Sequence, residues 1–286
     1  MGRGEGPTES VVGIGTKIWN LELNLMKLSQ NNLMELEHNV SDLLKTLGNT
    51  LSQEWQHIQQ VSLKEHREPV TEFDVKIEKD IRIELAKLLS HAGFIVEEGE
   101  NTEAKEFNWI IDPIDQTKNF IGQIPLFYTQ VALVHKDVPI LGVIYNPVSG
   151  QLFSASRGNG TRLNNIPLTK SVKNALKESL VDIDFGGNSG DINWKTPILE
   201  KLAGASYRIR ITGGAFAPYL VTGGIDAFVV LNQETKIVDQ MPRTILAREL
   251  GLFFELLQFK KYKVFIAGSK TVFEEIKDII SKTILV

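Results

Sequence analysis

The sequence predicts a mixed α/β protein, α+β in its first half and α/β in its second. Three observations lead there. Apolar residues recur at helical spacing over 33–47 and 77–88, short strand-like runs then follow one another between turn residues, and helix and strand patterns alternate beyond residue 176. The 286 residues are 42% hydrophobic and 23% charged, an ordinary globular balance in a chain long enough to bury a sizeable core.

Taken in order, Ile18, Leu21 and Leu25 and then Leu33, Leu36, Val40, Leu43, Leu44 and Leu47 sit at helical spacing. Asn31-Asn32 divides them into a short leading helix and a longer one. A second amphipathic helix is expected from Val75 to Leu89, with Thr71 or Asp74 at its start. Strands are expected at Phe94–Val96, Asn108–Ile111, Tyr128–His135 and Pro139–Asn146, then as a hairpin series over Gln151–Ser156 and Thr161–Leu163. The second half reads as strand 181–184, helix 194–203, strand 206–211 and a helix opened by Gly213-Gly214 and running through Thr222. Strand 227–231, helix 241–250, strands 253–256 and 264–267 and helix 271–282 complete it. The organisation expected is an N-terminal extension of unplaced role (1–30), a first half (31–175) and a second half (176–286), joined by a seam inside one body.

Composition also excludes functions. The net charge is −4 with Lys and Arg dispersed, so no nucleic-acid arm is expected. Without cysteine there are no disulfides and no thiolate metal site, so any metal must use oxygen or imidazole. The first residues are too polar for a secretory signal and no run of 18 apolar residues occurs, so no membrane association and a cytoplasmic location are expected.

The chemistry-bearing stretch is WIIDPIDQTKNFIG, residues 109–122. A hydrophobic run ends in Asp112 and Asp115, with Pro113 denying them a regular helix. Two carboxylates held close repel unless a cation lies between them, and hard divalent ions such as Mg²⁺ prefer such oxygens. An Asp-rich turn capping a helix is the plain alternative. Gln116-Thr117-Lys118-Asn119 can start a helical turn whose N–H groups face a phosphate, which suits metal-assisted phosphate ester hydrolysis. Glu97-Glu98 lies past a predicted strand, Asp239 before a helix and Asp74 at a helix start. Each alone reads equally as a solvated turn or a cap.

The order of these segments resembles the inositol monophosphatase family, within the lithium-sensitive, Mg²⁺-dependent phosphatases that include fructose-1,6-bisphosphatase-like members. The resemblance rests on DPIDQT, preceded by VEE and TEFDVKIE and followed by GGIDAF and KIVD, and it runs from about residue 33 to the C-terminus. It implies a layered αβαβα sandwich, a homodimer, and a Mg²⁺-dependent phosphomonoesterase acting on inositol monophosphate or a sugar phosphate. It further implies that Glu97, Asp112, Asp115, Asp239 and the Ile114 carbonyl hold metal. Thr117 would aim the attacking water, with Asp74 accepting from Thr117 and Glu97 beside them. Gln116 and Thr117 would hold phosphate through their N–H groups, Gly213, Gly214 and Ala215 would line the alcohol pocket, and Lys64 would lie nearby. The chain departs from the pattern at Gln116, where the family has glycine, and over Gln240-Met241-Pro242, where it has small residues. Val230 stands where inositol-specific members carry Glu. A family-shaped protein that binds metal and phosphate with weak or no catalysis is therefore a second expectation. Phosphatases of fructose 1,6-bisphosphate or 3′-phosphoadenosine 5′-phosphate are a third.

Overall fold

The computed structural model describes residues 28–55, 61–63, 69–171, 173–186, 192–231, 237–259 and 262–284; the leading helix expected before residue 28 lies outside them. Helix α1 (Gln30–Glu54) starts where Ser29 and Asn32 satisfy each other's backbone N–H groups, a capping box. It buries the stripe Leu33, Leu36, Val40, Leu44 and Leu51. Strands β1 (Val61–Leu63) and β2 (Pro69–Thr71) pair antiparallel and lead into α2 (Glu72–Leu88). Thr71 caps α2, and the Asp74 carboxylate accepts from the Thr71 N–H at 2.7 Å and from its hydroxyl at 2.5 Å.

The first sheet runs in order β3 (Gly93–Val96), β4 (Phe107–Asp115), β5 (Tyr128–His135), β6 (Val138–Asn146), β7 (Gln151–Ser156), β8 (Thr161–Leu163) and β9 (Ile166–Pro167), with the short helix α3 (Thr117–Ile121) between β4 and β5. Only the β3–β4 pair is parallel; the rest is an antiparallel meander. Every residue of β4, β5 and β6 is buried, so both faces of this sheet are covered. Helices α1 and α2 cover one face through Leu44, Ile77, Ile81 and Leu85 against Trp109, Ile111 and Val131.

The second sheet has the order β11 (Arg208–Arg210), β10 (Leu180–Asp184), β12 (Ala227–Val230), β14 (Tyr262–Gly268), β13 (Phe253–Phe259). Helix α4 (Thr196–Ala205) joins β10 to β11, α5 (Ile237–Glu249) follows β12, and α6 (Lys270–Ile284) ends the described chain. Period-two alternation sorts the two faces. Val229, Val181 and Ile266 pack with Ile198 and Leu202 of α4 and with Phe273 and Ile276 of α6. Phe228, Val230, Phe265 and Ala267 pack with Ala247 of α5. The other side of α5 lies on the first sheet, where Ile245 and Leu246 meet Tyr128, Ile144 and Phe153. The layers therefore run helix, sheet, helix, sheet, helix, the αβαβα sandwich expected from the sequence.

Among the local expectations that change, two bear on the site. Strand β4 continues through Asp115 instead of ending at Ile111, because Pro113 is accommodated in a bulge. Gly213-Gly214 opens no helix: both have positive φ, 63° and 89°, and a 3-10 helix begins only at Ala217 with Pro218 in its first turn. A left-handed pair turns the chain back before a helix can propagate.

The seat of α5 depends on Gly142 in β6. A Cβ there would fall 2.9 Å from the Pro242 carbonyl oxygen, and closer still to the Ile245 side chain. Glycine lets the helix backbone approach the strand. Gly142→Ala should therefore destabilise the chain by about 1–3 kcal/mol through overpacking, read as a lower denaturation midpoint in urea.

Candidate active site

The site forms where β4 leaves the core. Asp112 faces Gln130 of β5 and Asp115 faces Tyr128, so one extra residue is inserted into β4 between the two aspartates. On a regular strand, residues three apart point to opposite faces; the insertion turns that odd spacing into an even one and brings both carboxylates to one side. Asp112 is 1% exposed and accepts from the Gln130 side-chain amide at 2.8 Å. Asp115 is 7% exposed, and its Oδ2 accepts from Nη2 of Arg243, on α5, at 2.5 Å.

Glu97 follows β3, whose parallel register with β4 (Val96 opposite Ile111) sets it beside the end that carries Asp112. The turn holding it is pinned from α2: the Glu78 carboxylate accepts from the Glu98 and Gly99 N–H groups at 2.8 and 2.7 Å. Thr117 donates its hydroxyl to the Ile114 carbonyl at 2.9 Å, while Asp74 is held in the Thr71 capping box. A hydroxyl has one proton, so in this arrangement Thr117 donates to Ile114 and not to Asp74.

Gln116 is left-handed (φ 70°), a conformation that favours the glycine the resemblance expects there. Its side-chain amide donates to the Gly213 carbonyl at 2.6 Å, bridging from the first sheet to the turn before the 3-10 helix. The Ala215 carbonyl accepts from the Tyr128 hydroxyl at 2.6 Å, a second bridge. A Cβ on Gly214 would lie 3.5 Å from Gln116 Nε2, 3.6 Å from Arg243 Nη1 and 3.6 Å from Asp184 Oδ2. The structure thus draws together Asp115, Gln116, Gly213, Gly214, Ala215, Arg243 and Asp184. Lys64 lies outside the described residues, and Asp239 is described only as backbone in the first turn of α5.

This pocket is crowded with negative charge. Burial pushes the Asp115 carboxyl up; the Arg243 guanidinium pulls it back, and Glu97 and Asp184 oppose that pull. Asp182, fully buried on β10, is pushed up to about 6 by burial, against the hydrogen bond it accepts from Thr212 at 2.7 Å. Its Oδ1 has no hydrogen-bond partner among the described residues. Burial also raises Glu78 and Tyr128.

Known proteins share this arrangement of elements. The family model described as the inositol monophosphatase family matches residues 33–272. The chain belongs to the inositol monophosphatase family. The inositol-1-monophosphatase of Rhizobium meliloti (strain 1021) is 32% identical over 214 residues, covering 71% of this chain and 79% of the relative. The fructose-1,6-bisphosphatase/inositol-1-monophosphatase of Thermotoga maritima is 30% identical over 190 residues, covering 65% and 72%. The crystal structure of the extragenic suppressor protein suhB from Bartonella henselae superposes with a TM-score of 0.79 at 28% identity, over 87% of this chain and 99% of that one.

Membership in an inositol monophosphatase family raises the question of whether these residues fit a metal. The donors have the right chemistry, hard carboxylate and carbonyl oxygens without sulfur. Glu97, just after β3, and Asp112, on the neighbouring parallel strand β4, offer oxygens of that kind. The Oδ2 of Asp115 is taken by a guanidinium in this arrangement and is closed to a second ion. Among the described residues no three acidic or histidine side chains close on a common point.

Sequence reasoning missed Arg243, Glu78, Asp182 and Asp184. Arg243 carried a signal: it stands four residues after Asp239, on the same helical face, within a helix that also supplies Ile245 and Leu246 to the core. Glu78 is one of many surface-like helix acids, and nothing local marks it.

The raised Asp182 pKa fixes the sign of a pH effect. Its folded value, about 6, lies above the ordinary 3.8, so folding disfavours the charged form. The penalty is absent below about pH 4, grows as pH rises, and is complete above about pH 6. Asp182→Asn should match the wild type in stability near pH 4 and exceed it at pH 7 by on the order of 1–2 kcal/mol. Urea midpoints at the two pH values measure this.

Proposed function

We propose that this chain is a phosphomonoesterase acting on a small phosphorylated alcohol, inositol monophosphate or a sugar phosphate, and that Mg²⁺ is its cofactor. The observation that carries the reading is the bulged end of β4, which turns Asp112 and Asp115 to one side beside Glu97 and immediately before the turn at Gln116 and Thr117. Membership of the family supports it, as do relatives named for inositol monophosphate and fructose 1,6-bisphosphate.

In this reading Glu97, Asp112, the Ile114 carbonyl and Asp239 would hold Mg²⁺, which would supply an acidified water beside the ester. The chain's own residues do the rest. Thr117 holds the Ile114 carbonyl in place at the strand end, and Glu78 fixes the turn that carries Glu97. The N–H groups of Gln116 and Thr117 receive phosphate oxygens. Gly213, Gly214 and Ala215 border the alcohol portion, and Val230, where inositol-specific members carry Glu, keeps a sugar phosphate beside inositol monophosphate as substrate. Thr117 aims the attacking water, and the family resemblance adds Asp74 to the catalytic set and Lys64 to the substrate-binding set. Homodimer assembly, inhibition by Li⁺ and a cytoplasmic location belong to the same proposal; no helix among the described residues is long and apolar enough to cross a membrane.

A second reading, binding with little turnover, is favoured by one observation: Gln116 reaches across to the Gly213 carbonyl and narrows the entry. Phosphate release from inositol monophosphate, fructose 1,6-bisphosphate, 3′-phosphoadenosine 5′-phosphate and simple sugar phosphates, with Mg²⁺ and with added Li⁺, tests both. Release from at least one ester that disappears in Asp112→Asn supports the phosphatase; release unchanged in that variant would discard the site. Turnover that rises about tenfold or more in Gln116→Gly identifies the glutamine as an attenuator, the sign expected when a left-handed residue with a bulky side chain stands where phosphate must approach the backbone.

A further inference from the structure

The site contains a cation of its own. We propose that the Arg243 guanidinium stands in for a second divalent ion at Asp115, so that a metal binds at Glu97 and Asp112 while an arginine faces the phosphate from the Asp115 side. This rests on the phosphate-ester reading above and deepens it.

The placement of Arg243 is built, not incidental. Gly142 admits Pro242 against β6, and the next residue along α5 is delivered to the end of β4. Arg243 is 9% exposed and Asp115 7%, so the pair is out of bulk water and close enough for a charge-assisted hydrogen bond. An ion bound to a carboxylate sits about 2.1 Å from its oxygen, inside the space the guanidinium now holds. The negative groups acting on Asp115, namely Glu97 and Asp184, are those that would draw a divalent cation.

Arginine is suited to that substitution. It stays protonated at any working pH, and its planar fork can serve a carboxylate on one side and phosphate oxygens on the other. Its Nη1 lies near Gly214, 3.6 Å from where a Cβ on that glycine would fall. The plain alternative is an ion pair that only ties the two sheets together. That alternative expects a less stable Arg243→Ala and no new affinity for metal.

Titration with Mn²⁺, followed by the electron paramagnetic resonance signal of the free ion, separates them on the full chain. Arg243→Ala should bind one more Mn²⁺ per chain than the wild type, and Arg243→Ala/Asp115→Asn should lose that gain. In the wild-type background Asp115→Asn should leave the stoichiometry unchanged, because Asp115 is not a ligand there. An Asp115→Asn chain that loses an ion overturns the proposal without any need for the arginine variant to fold. Equal stoichiometry and affinity in wild type and a folded Arg243→Ala overturn it too. Neither readout uses turnover, so failure of the metal count and failure of the phosphatase reading are told apart.

Discussion

Two carboxylates buried on one side of a strand end must be neutralised, and much of this molecule is arranged around that requirement. The bulge at Pro113 creates the problem by aligning Asp112 with Asp115. A buried carboxylate without a partner loses several kcal/mol of solvation, and breaking a buried pair typically costs about 3–5 kcal/mol. Gln130 answers for Asp112 with a neutral amide and Arg243 answers for Asp115 with a full charge. The arginine satisfies its partner within the protein.

The same contact couples stability to function across the layers. Helix α5 is the middle layer, packed on the first sheet through Ile245 and Leu246 and on the second through Ala247. Its register is set by a backbone contact at Gly142, and that register decides where Arg243 arrives. The bridges from Gln116 to Gly213 and from Tyr128 to Ala215 cross the same seam. A pocket made by two sheets is only as well defined as the contacts that hold those sheets apart. Those contacts include a glycine, two side chains reaching carbonyls and a buried ion pair.

Departures from the family pattern become physical at particular atoms. Gln116 adopts the left-handed conformation that glycine reaches without cost, and part of that strain is offset by its bond to Gly213. Pro242 lies within α5, where it removes a helical hydrogen bond, yet its backbone is what Gly142 accommodates.

Much was legible in the residues themselves. Apolar spacing located α1, α2, α6 and most strands, because burying a stripe or a face leaves a period that neighbours cannot hide. Asp112, Asp115 and Glu97 could be read as a group because their chemistry is local to strand ends and their order is distinctive. What the sequence could not supply was the parity of the bulge, since a single inserted residue depends on how β5 pairs. Nor could it show the reversal at Gly213-Gly214 or the partner of Asp115. Arg243 lies 128 residues from Asp115, and only the close approach of α5 to β6 brings them together. Local pattern determines which elements form; long-range packing decides which charges meet.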